Sequence, residues 1–119
     1  MTTITAPTIY DTIAAINDWI DGQSARLYQD QPAAQDWARV AKCAEESGEA
    51  VAALIGMTGQ NPRKGVTHTV DDLLGELADV AVTALAAIQH FTGDAEVTQR
   101  VLEDKVAYIA ARAGIGGAR

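Results

Sequence analysis

Hydrophobic and polar positions along this 119-residue chain repeat with a helical period, not the alternation of a strand. Ile9, Ile13, Ile16 and Ile20 keep an i, i+4, i+7 spacing, which predicts an amphipathic helix ending near Gly22 or shortly after. A second helix is expected from about Ala34 to Ile55. It gathers Trp37, Val40, Ala41, Ala44, Gly48, Val51 and Ile55 on one face, the natural candidate for its core side. "GMTGQNPRKGVTH" interrupts with glycines, a proline and polar residues, so a loop is expected there. Thr69 followed by Asp72 reads as a capping box that opens a third helix, with Asp in the place of Glu. That helix stops at "TGD", where Asp94 can cap a fourth helix reaching about Arg112. "AGIGGAR", about 113–119, reads as a frayed, flexible tail. With no hairpin signal and no repeat, residues 1–119 read as one all-α domain, a compact bundle of four main helices.

The third helix carries a contradiction. From Leu73 to Ile88 it is almost all Leu, Ala and Val, yet Glu76 and Asp79 sit three positions apart inside it. On a wheel of about 100° per residue, Asp72, Glu76, Asp79, Thr83 and His90 share an arc of roughly 60°. So narrow a polar stripe predicts a helix packed on most sides. The second helix repeats the theme in "KCAEESGEAVAALIG", where Glu45, Glu46 and Glu49 span an arc of roughly 100°. A single E-x-x-E or E-x-x-D on a helix ordinarily lies on a solvated face. Here two such pairs, Glu46/Glu49 and Glu76/Asp79, interrupt apolar helices with few cations nearby. Buried acids are protonated, paired or metal-bound. Two i, i+3 carboxylate pairs on facing helices form an all-oxygen cage of the kind that suits Mg²⁺, with Mn²⁺ as a substitute.

Composition narrows the partners. Hydrophobic residues make up 48% and charged residues 21%, as in globular proteins. A net charge of −7 argues against a nucleic-acid polymer, which needs a basic face, but not against a free nucleotide bridged by a metal. Cys43 is the sole cysteine, so an intrachain disulfide is impossible and a cytoplasmic setting is expected. "MTTITAPTIYDTIAAI" lacks the basic start of a signal peptide. No run approaches 18 uninterrupted apolar residues, so no membrane span is expected.

"EESGE", then 26 residues, then "ELAD" resembles the E-E-x-x-E … E-x-x-D signature of the MazG-like all-α nucleoside triphosphate pyrophosphohydrolases. The combined motif is specific, whereas either half alone is weak. The resemblance covers roughly Trp37 to Arg112. It implies a helical bundle assembled as a homodimer or homotetramer. It also implies Mg²⁺-dependent cleavage of a nucleoside triphosphate to the monophosphate and pyrophosphate, a nucleotide-pool housecleaning activity. By position it implies Glu46, Glu49, Glu76 and Asp79 as metal ligands. Glu46 thereby joins Glu45 as a catalytic candidate, with Glu45 orienting or deprotonating the attacking water. Family members often carry Lys, Asn and Arg at i, i+4 and i+7 in the last helix. Lys105 and Arg112 fit, but Ile109 stands where the Asn would be.

Further substrate contacts follow from charge and aromaticity. Lys105 and Arg112 fall with Val101, Tyr108 and Ile109 on the apolar side of the fourth helix, while Arg100 faces away. Pointed inward, they suit triphosphate oxygens or pair with the acids. Arg63 and Lys64 form a basic loop near the start of the third helix, able to close over phosphates or simply to be solvated. Lys42, one turn before Glu46, pairs with Glu45 or Glu46 or touches phosphate. Trp37 and Trp19 are candidates to stack on a base, although Trp37 fits the core better. His68 and His90 read as structural or exposed. The alternative to an enzyme is a non-catalytic helical interaction module, whose acids are solvated and indifferent to metal. On either reading the helices carry more apolar circumference than a 119-residue bundle can hide, which predicts self-association.

Overall fold

A computed structural model describes residues 6–28 and 31–116, with side chains described outside 24–28. The tail positions 117–119 lie outside the described residues. Four helices account for almost all of it: α1 (Ile9–Tyr28), α2 (Pro32–Thr58), α3 (Val70–Thr92) and α4 (Ala95–Arg112), and no strand occurs among the described residues. α2 packs along α3. α1 lies mainly on α3, and α4 touches α1 and α3 but not α2.

The helix starts follow their local chemistry. Pro32 opens α2 within its first turn, where its missing N–H costs no helical bond. The expected capping box is present: the Thr69 hydroxyl accepts from Asp72 N at 3.2 Å, and the Asp72 carboxylate accepts from Thr69 N at 2.8 Å. Asp94 caps α4, its Oδ1 accepting from Glu96 N at 2.8 Å and Val97 N at 3.2 Å. Two boundaries move. α1 continues through Gly22 to Tyr28, and α2 continues through Gly56 to Thr58 before Gly59, at φ +65°, closes it on Ile55 O. The 59–69 loop folds back over Gly56, which leaves no room for a side chain there. Thr67 N donates to Gly56 O at 2.9 Å, and a Cβ at Gly56 would collide with the Thr67 hydroxyl and the His68 ring.

The packing departs from a compact bundle. The radius of gyration is 18.1 Å, against about 13.5 Å for a compact domain of this length. Among the described residues the buried apolar ones are small apart from Ile13: Ala50, Ala53, Ala86 and Ala87. α3 is not packed on most sides within one chain, for Leu74, Leu77 and Val82 are exposed. The face of α2 read as its core side is turned outward, with Trp37 77% exposed. The side of α2 that meets the rest of the chain holds Arg39, Glu46, Ala50 and Ala53, nearly opposite on the wheel. Pattern reading chose the more hydrophobic face, whereas the chain buries its smaller and more polar one.

Polar groups do much of the joining. Arg39 of α2 is buried, pairs with Asp21 of α1, and donates to Asn17 O at 3.1 Å. Gln35 Nε2 donates to Asp21 at 2.7 Å, and His90 of α3 meets Asp36 at 2.7 Å. Between α3 and α4, Thr98 is fully buried and donates to Gln89 Oε1 at 2.8 Å. Among the described residues α3 is also the one helix long and apolar enough to cross a membrane by length and mean hydropathy, a property hidden when only uninterrupted apolar runs are counted. Glu76 and Asp79 lie within it, and carboxylates at membrane depth are costly.

Candidate metal centre

The face of α2 that packs on α3 carries Glu46 inward with it. From α3, Glu76 arrives to meet it, and Glu49 stands one turn beyond Glu46 on α2. One carboxylate oxygen of each of Glu46, Glu49 and Glu76 lies within 4.8 Å of the other two. Glu46 is buried, Glu76 half-buried and Glu49 exposed, so the cluster runs from the helix interface out to solvent. Both Glu46 Oε2 and Glu76 Oε2 are buried with no hydrogen-bond partner. Such groups normally find a donor or a cation.

The neighbouring positive charge is Lys42. Its Nζ lies 3.1 Å from Glu45 Oε1 and 3.2 Å from Glu46 Oε1. Hydrogen bonds to Glu45 and then to Glu46 push the Lys42 pKa above its ordinary value. One ammonium does not balance three clustered carboxylates. The excess falls on Glu49, whose pKa is raised chiefly by its hydrogen bond with Glu46 and by the Glu46 charge, with Glu76 adding to it. An all-carboxylate set with two buried, unpartnered oxygens fits a hard divalent cation such as Mg²⁺ or Mn²⁺.

From this cluster an open groove of about 620 Å³ runs along α3, past Gly75, Asp72, Asp71 and Asp79 to Thr67 and His68. Asp79, the fourth expected ligand, is exposed on this wall and stands outside the three-glutamate group. Asp72 is committed to its cap: the Thr69 N–H and then the Thr69 hydroxyl hold its pKa below the usual value. Glu45 is exposed and held by Lys42.

Other candidates lie apart. Lys105 and Arg112 are exposed and flank the Tyr108 ring at 5.7 and 5.8 Å, so their expected inward orientation is corrected. The wheel correctly put them beside Tyr108 and Ile109, but that side of α4 faces away from its own chain. Arg63 and Lys64 are exposed in the 59–69 loop, where Lys64 borders a recess with Gly56 and His68. Trp37, placed in the core by its periodicity, instead lines a shallow surface pocket with Val40 and Phe91. Trp19 is exposed. His68 contacts the Thr67 hydroxyl at 2.8 Å.

Two features escaped the sequence reading. One is the Asp21–Arg39–Gln35–His90–Asp36 network, for which the signal was a single arginine within the row of α2 that turns inward. The other is an apolar cavity of about 340 Å³ between α1, α2 and α3, lined by Ile16, Ile20, Val82 and Ala86. Gln35, Arg39 and Thr83 border it, and Lys42 is shared with the acidic cluster. In comparisons with known proteins, no family model matches this chain, and no curated protein or solved structure matches it.

Proposed function

We propose that the chain is a Mg²⁺-dependent nucleotide pyrophosphohydrolase that cleaves a ribo- or deoxyribonucleoside triphosphate to monophosphate and pyrophosphate, in the manner of the MazG-like proteins its motif resembles. The observation that carries this reading is the convergence of Glu46, Glu49 and Glu76 from the two halves of that motif, with buried oxygens left unpartnered. A divalent cation held by these three, with Asp79 nearby for a further ion, would neutralise triphosphate charge and acidify water. Glu45, exposed beside the cluster, would orient water or accept its proton once released from Lys42. Lys42 can exchange its carboxylate partners for a phosphate oxygen. The apolar cavity that shares Lys42 is of a size to take a base, with Gln35 and Thr83 at its border to hydrogen-bond it.

The working form under this proposal is a homodimer or homotetramer in a reducing cytoplasm. Exposed apolar surface supports the assembly, and one free, half-buried Cys43 is compatible with the compartment. The same apolar surface also favours the rival reading, a helical interaction module without catalysis. A nucleotide panel with and without Mg²⁺ separates the two. Pyrophosphate release that requires the metal is expected. No release from any nucleotide at micromolar protein, together with a melting temperature unmoved by millimolar Mg²⁺ or Mn²⁺, leaves the interaction module.

A further inference from the structure

His90 of α3 holds its two ring nitrogens toward carboxylates from two other helices. Nε2 lies 2.7 Å from Asp36 Oδ1 on α2, and Nδ1 lies 3.8 Å from Asp21 Oδ2 on α1. The His90 side chain is 14% exposed while Asp36 is 52% exposed, so the junction runs from the helix interior to the surface and senses the pH of the solvent. Asp21 is held from α2 as well: buried Arg39 pairs with it, and Gln35 Nε2 donates to it at 2.7 Å. Asn17 Nδ2 of α1 donates to the same carboxylate at 3.3 Å.

Charge and donor count both turn on one proton. Asp21 and Asp36 bring two negative charges, and Arg39 brings one positive charge. Lys42, nearly one turn on, is taken by Glu45 and Glu46. Among the described residues no charged group of α4 pairs with His90, Asp21, Asp36 or Arg39. The cluster is therefore balanced only when the His90 ring is charged. The donors agree. A neutral imidazole has a single N–H, and giving it to Asp36 turns a bare Nδ1 toward Asp21. An imidazolium donates from both nitrogens.

The position of the junction gives that proton something to control. Asp21 follows Ile20 on α1, Gln35 and Arg39 stand on α2, and His90 lies one turn beyond Ala86 on α3. Ile20, Gln35, Arg39 and Ala86 all line the apolar cavity. We propose that His90 is a proton-operated latch: its charged ring draws Asp21, and α1 with it, onto α2 and α3, and loss of the proton frees the α1 wall of the cavity. The latch follows from these contacts alone. That it governs the entry of a base rests on the reading of the cavity under Proposed function.

Amide hydrogen exchange of the full chain, without nucleotide, tests it. Results are expressed as protection factors, which remove the intrinsic pH dependence of exchange. Between about pH 5.5 and 8, where histidine titrates, the α1 amides should lose about tenfold in protection, the size of one charge-assisted hydrogen bond partly screened by water. His90→Gln carries no charge at any pH and should show the low protection throughout. Asp36→Asn removes one negative charge, so that a neutral His90 balances the cluster, and the decline should largely disappear. Asp36 is half exposed, so this variant keeps its fold even where His90→Gln loses it. The pH dependence due to Glu49 is common to all three proteins and cancels in the comparison. Level α1 protection in wild type, an equal decline in His90→Gln, or an undiminished decline in Asp36→Asn each overturns the latch. If no nucleotide is hydrolysed, only the occupant proposed for the cavity falls, and the α1 protection is still expected to follow His90.

Discussion

Glu46 and Glu76 belong to different helices, and each buries a carboxylate oxygen that no donor meets. Their convergence makes α2 and α3 a pair whose contact is electrostatically incomplete. Under the proposed function a divalent cation would complete it. Glu46→Gln and Glu49→Gln keep the side-chain shape and remove one anionic ligand each. Either is expected to abolish nearly all pyrophosphate release and the Mg²⁺-induced rise in melting temperature while far-ultraviolet circular dichroism is retained. Asp79→Asn is also expected to lose turnover. Because Asp79 stands outside the three-glutamate group, it should keep more of the metal-induced stabilisation than the glutamate variants.

Glu49 gives the metal-free protein a pH dependence of known sign. Its folded pKa is raised by Glu46, first through a hydrogen bond and then through charge. A group raised in this way favours the fold below its unfolded pKa, and that contribution is lost as pH rises through the folded value. Metal-free stability should therefore decline from the ordinary glutamate range upward through the raised Glu49 value. Thermal melts in chelator across that window check it. Glu49→Gln should flatten the decline, as should saturating Mg²⁺, because both remove the repulsion that ionisation creates.

Local chemistry was the legible part of this chain. Thr69, Asp72 and Asp94 announced their helix starts because a cap is settled within three residues. Glu46, Glu49 and Glu76 were legible because like charges placed in apolar helices need a reason. Facing was not legible. Trp37 and Val51 define the most hydrophobic side of α2, and periodicity assigns such a side to burial without saying in which chain. Arg39 and Asp21 were missed for the converse reason: a buried arginine makes sense only when its partner from another helix is seen.

That ion pair yields its own expectation. Arg39 is buried, Asp21 is about a third exposed, and the pair joins α1 to α2 with help from Gln35 and Asn17. Breaking a fully buried pair costs about 3–5 kcal/mol, and solvent at Asp21 lowers this to roughly 2 kcal/mol. Arg39→Ala should destabilise the fold by that amount in urea melts. Asp21→Asn should cost less, because the amide still accepts from Gln35 and Arg39. A full loss in Arg39→Ala with none in Asp21→Ala would show that packing of the arginine stem, rather than the pair, joins the helices.

Lys105 and Arg112 pose the last question, since α4 does not touch α2 and both cations face away from their own chain. If they serve the triphosphate, they do so in another copy. Losing one charge-assisted hydrogen bond costs about 1.5–3 kcal/mol, so Lys105→Ala or Arg112→Ala should each lower catalytic efficiency roughly tenfold to a hundredfold. Arg100→Ala, a surface change elsewhere on α4, should do almost nothing. Mixing then tells cis from trans. Inactive Glu49→Gln chains refolded with Arg112→Ala chains form hybrids in which one site joins intact acids to an intact arginine. At equal mixing about a quarter of all sites should regain full turnover in a two-fold dimer. No recovery on mixing, with Arg112→Ala still impaired, would place the arginine in cis and require α4 to swing toward α2. Unimpaired single variants would remove both cations from the phosphate site and leave them as the exposed companions of Tyr108.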